Sequence, residues 1–177
     1  MIASSPISRT SDVSEVRIEP WSAADRPLLD ALMGDPAMTV YLGGPETSEK
    51  LDERQGRYVN NPRSMRIVVD GEGVGWVGYW DHQQDDGELA WETGWSVRRE
   101  YQGRGIATAA MRLAFEQMRR DGNRRYVHAT TTVDNAPSNA LCRKLGFELV
   151  GPIDYEYPPG NPVRGNDWRF DLKADQR

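Results

Sequence analysis

The chain predicts an α/β fold in a single domain. Three observations carry that reading. Its 177 residues suit one unit large enough to bury a core without disulfides or a structural metal. Stretches whose apolar residues alternate every second position are interleaved with stretches whose apolar residues recur every three or four. Glycine, proline and asparagine clusters separate these stretches, as expected of turns between strands and helices.

Val13, Val16 and Ile18, ending at Pro20-Trp21, read as a first strand. Ser22 then caps a helix carrying Leu28, Leu29, Leu32 and Met33, which Gly34-Asp35-Pro36 stops. Tyr41 and Leu42 follow in a short segment, Gly43-Gly44-Pro45 breaks the chain, and Thr47 opens a polar helix to about Asn60. Met65–Val69 and Val74–Asp81 form a hairpin across Asp70-Gly71-Glu72-Gly73. In Leu89–Val97, Trp91, Thr93, Trp95 and Val97 share one face, so Glu92 points to the other. A helix from Ile106 to about Arg119 carries Ala107, Met111, Ala114 and Met118 as a stripe and ends at Asp121-Gly122. Tyr126–Thr132 is a strand, and Ala136–Leu145 a helix with Pro137 in its first turn and Gly146 after its end. Phe147–Val150 and Trp168–Leu172 complete the strands, with the proline-rich 157–165 between them expected to be a loop able to act as a lid.

Twenty-two basic against 27 acidic residues give a net charge of −5 and a pI near 5.1, which argues against a nucleic-acid or anionic-membrane surface. One cysteine, Cys142, excludes an internal disulfide, and with only two histidines a zinc site is not expected; no metal is predicted. Residues 1–12 are polar and serine-rich, read as a disordered tail rather than a secretory signal, and no apolar run approaches the ~20 residues of a membrane helix. A cytoplasmic protein is the expectation.

Between the strand ending at Val97 and the helix starting at Ile106 lies Gln102-Gly103-Arg104-Gly105. Helix N-termini carry unpartnered N–H groups and roughly half a positive charge, so they suit phosphates. Gly103 and Gly105 allow positive φ and close backbone approach, and Arg104 adds a cation. The loop lacks the Gly-Lys-Ser/Thr of a P-loop, and Thr108 occupies the sixth place of a dinucleotide fingerprint, where Gly or Ala is required. A nucleotide-phosphate site of either kind is therefore disfavoured.

Gln102–Ala107 resembles instead the Gln/Arg-x-x-Gly-x-Gly/Ala signature of the GNAT superfamily of acyl-CoA-dependent N-acyltransferases. Asn135-Ala136-Pro137-Ser138-Asn139-Ala140-Leu141-Cys142-Arg143-Lys144-Leu145-Gly146-Phe147 resembles the same family's Asn-x-x-Ala/Ser-x-x-Leu-Tyr-x-x-x-Gly-Phe element. The resemblance covers about residues 13–173, and Trp91-Glu92-Thr93-Gly94-Trp95 brings it nearest to the N-terminal and small-molecule acetyltransferases. It implies one domain over 13–177 with a GNAT fold: a mixed, mostly antiparallel sheet of six to seven strands, central parallel strands splayed apart, and about four flanking helices.

Carried onto this sequence, the resemblance implies that Gln102, Gly103, Arg104, Gly105, Ile106 and Ala107, with Thr108 beside them, hold the pyrophosphate of acetyl-CoA. Trp95, Ser96 and Val97 would pair with the pantetheine arm as with an added strand, and Asn135 and Ser138 would steady it from the other side. Tyr41 and Leu42 become acceptor-pocket candidates, and one of Trp80 and Trp95 is expected to wall that pocket.

Amide formation requires that an amine lose a proton before attacking a thioester and that the departing thiolate be stabilised. Glu92 is the candidate base, because a desolvated carboxylate can be raised toward neutral pKa; the competing reading is a strand glutamate paired with an arginine. Cys142 stands where many family members have a tyrosine that protonates the sulfur. Sharing a helix face with Ser138, it is a candidate acid, against the simpler reading of a buried small hydrophobe that leaves the role to water, Tyr155 or Tyr157. His82 is expected at a solvated hairpin end, and His128 faces either core or acceptor. The expected reaction is direct acetyl transfer from acetyl-CoA to a primary amine on a small molecule or a protein or peptide N-terminus; the alternative is a non-catalytic acyl-CoA sensor. A homodimer through an exposed last strand is a further expectation.

Overall fold

The structure, a computed structural model, describes residues 15–174. The expected tail over 1–12, and Val13 of the expected first strand, lie outside the described residues. Strand β1, Val16–Pro20, is followed by a single 3₁₀ turn and α1, Arg26–Met33. The Asp25 carboxylate caps this start, accepting from the Ser22 amide at 2.7 Å and the Ser22 hydroxyl at 2.8 Å. Helix α2, Ser48–Val59, has Thr47 as its cap. Strands β2 (Ser64–Val69), β3 (Glu72–Gln83) and β4 (Leu89–Val97) form a meander. Two strand–helix units follow: α3 (Ile106–Asp121), β5 (Tyr126–Thr132) and α4 (Ala136–Leu145), before β6 (Glu148–Glu156) and β7 (Pro162–Asp171).

The seven described strands make one sheet in the order β1-β2-β3-β4-β5-β7-β6. Every neighbouring pair is antiparallel except β4 and β5, which are parallel. That parallel pair is forced by the crossover through α3, since a strand that leaves by a helix returns in the same direction. The mixed sheet and four helices match the architecture the resemblance implies.

Each face of the sheet has its own core. Met111, Ala114, Phe115 and Met118 of α3 pack with Ile67, Val77, Tyr79, Trp91 and Val127 on one face. On the other, α1 and α2 bury Leu29, Leu32, Leu51 and Tyr58 against Trp21 and Trp76. Tyr58 stacks on Trp76 with centroids 4.8 Å apart, which fixes α2 over β3.

One expectation is corrected. The proline-rich run is not a long loop: β6 continues through Pro152 to Glu156, and β7 begins at Pro162, leaving a tight turn at 157–161. A proline lacks only an N–H, and β6 is the edge strand of the sheet while Pro162 opens β7, the two places where that loss is tolerated. No described helix is long and apolar enough to cross a membrane.

Phe115 is 1 % exposed and stacks on Phe170 at 4.5 Å, so it anchors the middle of α3 to the sheet. Phe115→Ala is expected to destabilise the fold by about 3–5 kcal/mol, read as a lowered denaturant midpoint at unchanged m-value.

Candidate active site

Strands β4 and β5 are in register at only two positions, Trp91 with Val127 and Glu92 with His128. Beyond them β5 stays paired to β7 as far as Thr132, while β4 stays paired to β3 as far as Val97. The inner edge of β4 from Thr93 to Val97 therefore faces a gap instead of a strand. Helices α3 and α4 start beyond the carboxyl ends of the two parting strands, the place where α/β sheets bind ligands.

The gap opens into a cleft of about 550 Å³. It brings together Trp95, Ser96, Val97, Gln102, Gly103, Gly105, Ile106, Ala107, Thr108, Asn135 and Ser138, along with Met33, Met38, Tyr41 and Leu42. Arg104 is not among the lining side chains; it is exposed at the rim, its guanidinium 5.4 Å from the Tyr101 ring.

The glycine turn is shaped for a ligand rather than for packing. Gly103 and Gly105 have φ of 74° and 76°, and a Cβ built on either would meet nothing within 4 Å. Gly105 is the N-cap of α3 and supplies no side-chain cap. The first amide to bond back is that of Ala109, to the Gly105 carbonyl at 3.0 Å, so those of Ile106, Ala107 and Thr108 have no helical acceptor. Helix α4 differs: the Asn135 side chain accepts from the Ser138 amide at 3.2 Å and closes its own start. Gln102 plays a bracing part: its amide donates to the Arg99 carbonyl at 3.1 Å and its Nε2 to the Val97 carbonyl at 2.8 Å. That leaves Gly103 to Thr108 as the amides available to an anion.

A second cavity of about 720 Å³ lies on the α1–α2 face and meets the first at Met33, Tyr41, Leu42, Trp95, Asn135 and Ser138. Trp76 and Trp80 form its floor, and the sheet is glycine where they lie. A Cβ at Gly94 would come within 3.3 Å of both indoles, and one at Gly78 would come within 2.5 Å of the Trp76 ring. Both Trp80 and Trp95 line this cavity, where one of the two was expected. Tyr58, Tyr155 and Tyr157 add to the wall. Arg54 pairs with Glu46 and donates to the hydroxyls of Tyr58 at 3.1 Å and Tyr157 at 3.0 Å, tying α2 to the 157–161 turn.

Among the described residues, Glu92 is the one carboxylate lining this cavity. It sits at the last registered pair of β4 and β5, with the Trp80 indole donating to Oε2 at 3.0 Å and the Thr130 hydroxyl reaching Oε1 at 3.5 Å. Among the described residues no arginine or lysine pairs with it. Tyr155 stands nearby; burial, then the Tyr157 and Glu92 charges, push its hydroxyl pKa up and keep it protonated.

Cys142 is not brought to the site. It is 0 % exposed, belongs to the α3-side core and lines neither cavity. Four residues separate it from Ser138, but a helix turns about 40° past a full turn over that interval, enough to leave Ser138 at the cleft and Cys142 inside. Burial pushes its thiol up to about 12. His82 stands at the hairpin end of β3 with its side chain 33 % exposed, and it also lines the second cavity, which the sequence reading did not anticipate. His128 is buried at 5 % exposure. No cluster of three or more His, Cys, Asp or Glu able to hold a metal occurs among the described residues.

Comparison with known proteins gives one consistent picture. The model of the acetyltransferase (GNAT) domain family matches residues 15–148. No curated protein matches the chain. Among solved structures, the acetyl transferase from Salmonella typhimurium that modifies the N-terminal serine of ribosomal protein L7/L12 superposes with a TM-score of 0.74 at 21 % identity, over 90 % of this chain and 96 % of that one. A ribosomal L7/L12 alpha-N-protein acetyltransferase in complex with coenzyme A gives 0.72 at 20 %, over 90 % and 96 %. The ribosomal-protein-alanine N-acetyltransferase of Brucella melitensis gives 0.72 at 22 %, over 88 % and 99 %. At such identities the likeness is one of fold.

Two outcomes follow from this geometry. Gly105→Val forces a branched side chain into the left-handed region and into the open mouth of the turn. It should cost roughly 1–2 kcal/mol of stability and lower affinity for coenzyme A by at least about tenfold, or 1.4 kcal/mol, in a calorimetric titration. The raised Cys142 pKa means that the folded state disfavours the thiolate. Stability from this group is complete below the ordinary thiol range and drains away as pH climbs toward about 12. A thiol reagent at pH 8 should therefore leave the native protein unlabelled and label it fully in denaturant.

Proposed function

The chain belongs to the GNAT acetyltransferase family, and from that premise we propose that it moves an acetyl group from acetyl-CoA directly to a primary amine. The observation that carries the reading is the pair of cavities meeting at the parted strands, one ending at an uncapped helix start and the other holding a single carboxylate. The residues fit the donor. Free amides at Gly103 to Thr108 and the N-terminal end of α3 suit a pyrophosphate, and the inner edge of β4 at Trp95 to Val97 offers strand-type partners to an extended amide chain. Bound there, acetyl-CoA supplies the thioester.

The chain's own groups do the rest. Glu92 accepts a proton from the acceptor amine, directly or through a water, with the Trp80 indole holding Oε2 in place. The indoles of Trp76 and Trp80 exclude bulk water and give the carbon skeleton of the acceptor an apolar surface. Tyr155, kept protonated, is the hydroxyl proposed to supply a proton to the departing thiolate, in place of the buried Cys142. The solved relatives named above include acetyltransferases acting on protein N-termini, which makes a peptide amine a natural first acceptor to try; an arylalkylamine suits the aromatic walls equally well.

The test is release of free thiol from acetyl-CoA in the presence of peptides with N-terminal serine or alanine and of phenylethylamine. Turnover with at least one of them is expected. Tight coenzyme A binding without turnover on a broad amine panel would make the protein a sensor instead. Glu92→Gln should lower kcat by about 10²–10⁴-fold while leaving coenzyme A affinity unchanged, and wild-type kcat in that variant would remove Glu92 as the base.

A further inference from the structure

The chain has two histidines, and the fold puts both beside Glu92. His82 Nδ1 lies 3.6 Å from Glu92 Oε2. The rings of His82 and His128 pack with centroids 4.9 Å apart. Behind them, His128 Nδ1 is 2.8 Å from Asp167 Oδ1 and its Nε2 is 3.2 Å from Gln84 Oε1. The array draws Glu92, His82, His128 and Asp167 from β4, β3, β5 and β7, four neighbouring strands of the sheet. Each ring therefore has a carboxylate on its outer side and the other imidazole on its inner side. Among the described residues no lysine or arginine pairs with any of the four; besides them, Glu92 has Trp80, Thr130 and, from β6, Tyr155 nearby.

Acetylation of an amine that arrives as an ammonium ion liberates one proton per turnover, beyond the one that ends on the thiol. If Glu92 takes that proton it must lose it again before the next cycle. Its side chain is only 27 % exposed and an indole occupies Oε2, whereas His82 is 33 % exposed and within reach of both Glu92 and water. Imidazole is the side chain whose ordinary titration range spans neutrality and whose two nitrogens can take a proton on one side while giving one up on the other.

We propose that His82 is the proton exit of this site, receiving on Nδ1 the proton that Glu92 removes from the acceptor amine and releasing the one on Nε2 to solvent, with His128 and Asp167 as positioning residues behind it. Glu92 returns to a carboxylate, and the His82 ring recovers its starting tautomer by exchange with water. No bond other than those to the transferred protons changes. Asp167 and Gln84 hold both nitrogens of His128, so its ring is a fixed surface against which His82 stays turned toward Glu92. The inference rests on the reading of Glu92 as the base.

The experiment uses the full chain, acetyl-CoA and whichever acceptor of the panel above turns over fastest. His82→Gln is expected to lower kcat about 10–100-fold, the low end of what general acid–base groups contribute and below, with coenzyme A affinity unchanged by calorimetry. Free imidazole added to the buffer should restore much of the loss, measured as acetylated amine. Asp167→Asn should lower kcat in the same direction, and the double variant should be no slower than His82→Gln alone. Wild-type kcat in His82→Gln, or a loss that imidazole does not restore, overturns the proposal. If Glu92→Gln is inactive while His82→Gln is unaffected, only the proton exit fails; if Glu92→Gln keeps full turnover, the base assignment fails first.

Discussion

The site exists because two parallel strands stop pairing. After Glu92 and His128, β4 and β5 each keep their outer neighbour and lose one another, which leaves a row of main-chain groups on β4 with no partner in the sheet. Unpartnered backbone is costly when water is excluded, so such a row is stable only if solvent or a ligand reaches it. The parting is held from both faces. Helix α3 is bound to the sheet by Met111, Phe115 and Met118, while Tyr58 and Trp76 fasten α2 on the opposite side, so neither strand can drift in to close the gap.

From that one constraint the division of labour follows. The α3 side of the gap has an uncapped helix start and two left-handed glycines, which suit an anion and an extended chain. The α1–α2 side has aromatic walls and a single carboxylate, which suit an apolar amine. Met33, Tyr41, Leu42, Trp95, Asn135 and Ser138 belong to both, so a group held in one cavity is reached from the other along that shared border. Glu92 lies one position before the strands part, at the depth where a proton acceptor faces the junction without filling it.

Much of this was legible in the sequence, and the pattern of success is physical. Leu89–Val97, Tyr126–Thr132 and Ala136–Leu145 have the bounds read from their periodicity and caps, because those signals are local. The glycine turn was legible for the same reason: positive φ and a missing N-cap are written in six residues. What failed was nonlocal. Whether Pro152 and Pro162 interrupt a strand depends on which strands are edges, which depends on the order of the whole sheet. His82 reads as a solvated hairpin end, and nothing local says that it lines a cavity or that His128 will pack on it. The direction of Cys142 turned on a fraction of a helical turn. Trp76 escaped notice as a cavity wall because its opening depends on Gly78 and Gly94 in two different strands.

The most direct test of the account is a structure of the protein bound to coenzyme A. The account predicts the pyrophosphate within hydrogen-bond distance of the amides between Gly103 and Thr108, and the pantetheine arm running antiparallel or parallel along Trp95 to Val97 with its sulfur at the junction beside Ser138. Coenzyme A seated away from the start of α3, or the strands closed upon each other with the ligand outside, would contradict it.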